Sequence, residues 1–214
     1  EYIVENTNKQ TIVGNIYKGI VRDILPGLSS AFIDIGIGRN VYIYISDVII
    51  PPHLKNKEIT IEKVLKSGQE VLVQIIKEAI GTKSEKVSMD ISLPSRYLVY
   101  MPFRKTIGIS HNIENRTERQ RLYKIIQKNS AGGFIARTEA ENIDENSIIR
   151  DIKFLLRLYE QIKTKFQTSK APALLHSELG ITFQLVRDML SEDVVSLLID
   201  EKKEYQEALQ FADI

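Results

Sequence analysis

The sequence predicts an α+β chain, with a small β-barrel in its first half and a region of short strands and helices in its second. Three observations carry this. Apolar residues alternate with aromatic and polar ones over 31–35 and again over 41–45, the period of a half-buried strand. From Ile148 to Phe166 the apolar residues step by three and four instead, the period of a helix. The 214 residues are 43% hydrophobic, enough to bury a core.

Taken in order, residues 1–13 read as strand, polar turn and strand, the edge of a sheet outside the barrel. The barrel spans 14–92. Its most informative part, 15–48, reads as three short strands with tight turns. Ala31, Ile33 and Ile35 share one face, Phe32 and Asp34 the other. In the next strand Val41, Ile43 and Ile45 point inward, Tyr42 and Tyr44 outward. One outward aromatic needs no more than β propensity. Three on one face, with lysines nearby, make a platform on which single-stranded RNA bases stack. A breaker-rich loop follows at 51–57, then a helical turn at 61–65, a strand at 71–76 and a charged hairpin tip at 79–86.

A second composition begins near Pro94. A strand is predicted at 97–101 and an extended piece at 107–110. A helix at 116–128 carries Leu122, Ile125 and Ile126 on one side. Gly132 and Gly133 break the chain before a strand at 134–138. The longest helix covers 144–168, with Ile148, Ile152, Leu155, Tyr159, Ile162 and Phe166 on one core-facing stripe. Pro172 stops it. A helix at 181–190, a strand at 194–199 and a helix at 202–211 complete the reading.

Composition narrows the function. The chain has no Cys, which excludes disulfides and thiolate metal sites within it, and three scattered His do not suggest a zinc centre. No apolar run reaches the ~18 residues of a membrane span, and the polar start lacks a secretory pattern. A cytoplasmic protein with no membrane partner fits. The net charge is +1, so any nucleic-acid footprint must be local. Arg116, Arg119, Arg121, Lys124 and Lys128 face one acid, Glu118, but by charge alone this run reads as a solvated helix face.

The order NIYKG, AFIDIG, SGQEVLV and MDISL resembles the S-one-type RNA-binding domain, an oligonucleotide-binding (OB) barrel. Over nearly the whole chain, NIYKG, AFIDIG, SGQEVLVQIIKE, ISLPSRYLVYMP, GIS, RTE, ARTEA, DIKFLLRLYEQIK, APALLHSE and VVSLLID, in that order, resemble the ribonuclease E/G family of bacterial endoribonucleases. The resemblance implies an OB barrel (14–92) inserted in a ribonuclease-H-like sheet begun by 1–13 and resumed at 194–214. An α/β 5′-sensor region (93–193) follows the barrel. Phe32 and Tyr42 match RNA-packing aromatics, Tyr42 replacing the more usual Phe, with Tyr44 beside them. Lys83 matches a basic residue near the RNA path. Arg137 and Thr138 match the pair that grips a 5′-monophosphate, and Val99 a position that contributes through its backbone. A forked guanidinium and a hydroxyl suit terminal phosphate oxygens. His111 stands where other members often carry Arg, and a neutral His would hold phosphate less well.

By the same resemblance the partner is single-stranded RNA, preferably 5′-monophosphorylated. The family's catalytic aspartates, which use Mg²⁺, and its Cys pair for a linking Zn²⁺ match nothing in this chain. No cofactor is therefore expected within it. The expectation is the RNA-reading part of a longer endoribonuclease acting in ribosomal RNA processing and messenger decay, able to form homo-oligomers through its remainder. The alternative is a free-standing, non-catalytic RNA-binding module. A translation factor using only the barrel explains nothing after Pro94.

Overall fold

The computed structural model describes residues 12–51, 59–79, 81, 84–130, 132–178, 180–189 and 194–212. Strands β1 (Ile16–Leu25), β2 (Ser30–Asp34), β3 (Asn40–Tyr44), β4 (Glu70–Lys77) and β5 (Lys86–Ser88) run in the order β1-β2-β3-β5-β4, and β4 pairs back on β1 to close the barrel. Its pairs are antiparallel except β3 with β5. A short helix, α1 (Ile61–Val64), precedes β4.

The predicted alternation holds. Ala31, Ile33, Val41 and Ile43 are fully buried, with Val21, Val73, Ile75 and Val87 around them. Phe32 and Tyr42 lie partly exposed on the outer face and Tyr44 is exposed. Ile45 departs from the pattern. It opens a 3-10 turn (Ile45–Asp47) and is only partly buried against the core, because the strand ends at Tyr44. Gly19 of NIYKG is dictated by close packing: a Cβ there would come within 2.5 Å of Ile33 Cγ2.

The second sheet has the order β6-β7-β9-β8, from β6 (Leu93–Pro94), β7 (Leu98–Met101), β8 (Ile107–Ile109) and β9 (Gly133–Ala136). β9 lies antiparallel to β7 and parallel to β8. Helices α2 (Arg116–Asn129) and α3 (Glu145–Thr168) pack against this sheet. Leu122, Ile125 and Ile126 of α2 and Ile148, Ile152, Leu155 and Ile162 of α3 join Leu98, Tyr100, Phe134 and Ala136 in one buried cluster. Both helices are capped as their sequences ask. Asn115 accepts from the N–H groups of Thr117 and Glu118, and Asp144 from that of Ser147.

Strand β10 (Ala173–His176) was not expected from the sequence. It leaves the second region and pairs antiparallel with β1, so the barrel sheet gains a sixth strand. Helices α4 (Ile181–Met189) and α5 (Lys202–Ala212) pack on each other.

Two strand expectations fail. Residues 194–200 form neither strand nor helix, and Val195 is 100% and Leu198 91% exposed. A strand needs a ladder partner, and none of the described strands pairs with them. Ile12 and Val13 lead into a turn, with the Asn15 N–H donating to the Ile12 carbonyl. The rest of the first predicted hairpin, 1–11, lies outside the described residues, as does Lys83 at the hairpin tip.

Candidate RNA-binding surfaces

The barrel's outer face is assembled by register. Phe32 of β2 is directly opposite Tyr42 of β3, and Tyr42 in turn pairs with Lys86 of β5. An aromatic pair therefore leads to a cation across three adjacent strands. Tyr44 meets Tyr42 edge to face, ring centroids 5.3 Å apart. The Lys86 ammonium sits 5.5 Å from the Tyr44 ring centre and 2.8 Å from the Asp47 carboxylate. Next to Phe32, Asp34 accepts from Arg22 at 2.7 Å and from the Gly36 N–H at 2.9 Å. Those bonds, the Arg22 one first, hold its carboxyl below the ordinary range. Asp34 is thus occupied with its own turn and presents a neutralised charge beside the rings.

The second candidate surface forms where β8 and β9, being parallel, end side by side. Ser110 and His111 follow β8, and Arg137 and Thr138 follow β9. Thr138 was expected inside the strand, but it opens a 3-10 turn (Thr138–Ala140). That turn brings its Oγ1 to 2.9 Å from Ser110 Oγ. His111 is exposed in the adjoining turn. Val99 lies further in, on β7, paired with Ile135 across the sheet. The structure thus brings Thr138, Ser110 and His111 to one edge and leaves Val99 on the strand behind them.

Arg137 is anchored by its own surroundings. Its NH1 donates to the Ser95 carbonyl at 2.7 Å, and its Nε lies 3.4 Å from a Glu139 carboxylate oxygen. Ser95 is held in turn by Asp151 of α3, which accepts from the Ser95 hydroxyl at 2.5 Å and from the Tyr97 N–H at 3.2 Å. Burial pushes the Asp151 carboxyl above its ordinary range. The bonds from Ser95, Tyr97 and Leu98 and the charge of Arg137 oppose that shift.

Sequence reasoning missed these supporting groups, and it missed how the basic run on α2 is used. Arg119 donates to the carbonyls of Ser110, Ile113 and Ile109 at 2.5, 2.9 and 3.3 Å. Arg121 makes a bidentate pair with Glu118, both bonds 2.7 Å, and reaches the Ile143 carbonyl. Two of the five cations therefore hold loops, which leaves a weaker basic face than their number suggested. The one available signal was Glu118, an acid three residues before Arg121 on a helix. Among the described residues no three His, Asp or Glu gather into a group able to hold a metal. No described helix is long and apolar enough to cross a membrane.

The architecture is that of an α+β protein with a five-stranded, OB-like barrel and a second mixed sheet. The family model of the Ribonuclease E/G family matches residues 92–214. Ribonuclease G of Escherichia coli is 34% identical over 222 residues, covering 99% of this chain and 45% of that relative. Ribonuclease E of Nostoc sp. is 36% identical over 202 residues, covering 93% of this chain and 29% of that relative. The chain belongs to the Ribonuclease E/G family, and it spans under half the length of these curated relatives. Among solved structures, the a/eIF2alpha-aDim2p-rRNA complex from Pyrococcus horikoshii shares 18% identity at a TM-score of 0.31, covering 56% of this chain and 57% of that one.

Proposed function

We propose that this chain is the RNA-reading part of an endoribonuclease. Its barrel stacks the bases of single-stranded RNA on Phe32, Tyr42 and Tyr44, and the ends of β8 and β9 receive a 5′-monophosphate on Arg137 and Thr138, with His111 alongside. In the parent enzyme, cleavage during ribosomal RNA processing and messenger decay falls to Mg²⁺-binding aspartates outside these residues. The barrel is then an insertion in a ribonuclease-H-like sheet, and the enzyme works in the cytoplasm. The observation that carries the reading is the register Phe32–Tyr42–Lys86, which lines two stacking faces up with a cation across adjacent strands. Bases offer π-faces for the rings, and the backbone phosphates would share the Lys86 ammonium with Asp47.

The test is titration of a labelled single-stranded oligonucleotide with the chain and its variants. Phe32→Ala and Tyr42→Ala are each expected to weaken binding by ~1–3 kcal/mol, the worth of one base stack. Wild-type affinity in the double variant would remove the platform. In the same incubation with Mg²⁺, the oligonucleotide should stay intact.

A further inference from the structure

We infer that Ser110 is a further 5′-phosphate-binding residue, acting as one half of a hydroxyl couple with Thr138, and that Arg119 is the positioning residue that fixes this couple. The inference rests on the 5′-monophosphate site proposed above. Ser110 Oγ and Thr138 Oγ1 are 2.9 Å apart, a full hydrogen bond in which either oxygen can donate. The couple owns two hydroxyl protons. Its internal bond uses one of them, whichever way it runs. Ser110 Oγ also accepts from the Asn112 N–H at 3.3 Å, which consumes no proton. One O–H is therefore left to give outward, at the edge where β8 and β9 end together. A phosphate oxygen can only accept and carries charge, so it suits that spare donor. A neutral 5′-hydroxyl gains much less from it. The couple is thus a specificity device for an anionic RNA end.

Arg119 holds the couple in place. It reaches from α2 and binds three carbonyls of the 109–113 segment at once, the Ser110 carbonyl at 2.5 Å among them. From the other side, the Ser110 N–H donates to the Ala136 carbonyl at 2.8 Å. The Ser110 backbone is therefore pinned between a helix cation and strand β9, and the hydroxyl meets Thr138 without a search. The same cation brings positive charge behind the loop that would face the phosphate.

The experiment measures the 214-residue chain against two oligonucleotides of one sequence, 3′-labelled, one ending in a 5′-monophosphate and one in a 5′-hydroxyl. Wild type should prefer the phosphate. Ser110→Ala leaves Thr138 its own O–H but removes the partner that aims it, and should cut that preference on the order of tenfold, the worth of one hydrogen bond to a charged group, while affinity for the 5′-hydroxyl strand falls much less. Ser110→Thr keeps the hydroxyl and should keep the preference, which separates a lost donor from a disturbed loop. Ser110→Ala with Thr138→Ala should lose less than the two single losses multiplied, because the couple gives one proton as a unit. Arg119→Lys should weaken binding of the 5′-monophosphate strand more than that of the 5′-hydroxyl strand. Ser110→Ala with the wild-type preference intact would make the bond a mere tie between β8 and β9 and overturn the inference, leaving the proposed site standing. Equal loss toward both strands would overturn it in the same way. Equal wild-type affinity for the two strands would instead refute the 5′-monophosphate reading itself.

Discussion

Arg137 carries its anion problem with it. Its guanidinium donates to the Ser95 carbonyl and lies near the Glu139 carboxylate, so in the proposed site a phosphate would share it with both. Only a planar fork with several donors can do that. Arg137→Lys offers one compact ammonium in its place. It should lower the preference for a 5′-monophosphate by roughly tenfold, about 1.4 kcal/mol, as read by calorimetric titration of both oligonucleotide ends. An unchanged preference would mean that the guanidinium never leaves Ser95 and Glu139. The sequence pointed to Arg137 and Thr138 only through resemblance to a family motif. It could not show Asp151 holding Ser95 and so Arg137, because that chain of bonds joins residues 42 and 56 positions apart.

At the scale of elements, α2 and the loop ahead of α3 are joined through one buried acid. Glu118 is 8% exposed. Besides its two bonds from Arg121, it accepts from the Asn142 N–H at 3.0 Å, while Arg121 reaches the Ile143 carbonyl. The Arg121 bonds come first among the causes that hold the Glu118 carboxyl below its ordinary value of 4.5, against the opposing effect of burial. Its stabilisation is therefore fully present above that value and lost as pH falls through the folded one. Glu118→Gln should cost about 1–3 kcal/mol at neutral pH and should flatten the acid limb of stability below pH 4.5, measured by thermal unfolding across pH. An acid limb identical to wild type would remove Glu118 from the account. Elements with strong periodicity were legible from sequence. β2, β3 and α3 declare their faces because each repeats its pattern several times. β10 did not, since Ala173–His176 is four residues without alternation and its partner β1 begins more than 150 positions earlier. Residues 194–199 misled for the opposite reason: they have strand composition, but no described strand pairs with them.

At the scale of the molecule, Lys18 of NIYKG ties the two regions together. From β1 its buried ammonium donates to the carbonyls of Phe166 and Ser169 at the end of α3, each at 3.0 Å. It also pairs with Glu70 at 2.8 Å and lies 4.8 Å from the Phe166 ring centre. A cation at a helix C-terminus is favourable twice, as a donor to orphan carbonyls and as a complement to the helix dipole. Lys18→Met should cost about 2–4 kcal/mol, visible in denaturant unfolding. A neutral result would mean that β10 and the shared core around Ile16 carry the connection without it.

With β10 laid on the same strand that Lys18 extends from, the chain that leaves α3 is hydrogen-bonded into the barrel sheet. If both proposed grips hold, a strand of RNA would be held at its 5′ end by one region and along its bases by the other, and the protein would act as a ruler. The second grip costs little once the first is made, because the effective concentration is set by a stiff span. An RNA too short to cover that span gains nothing from the second grip.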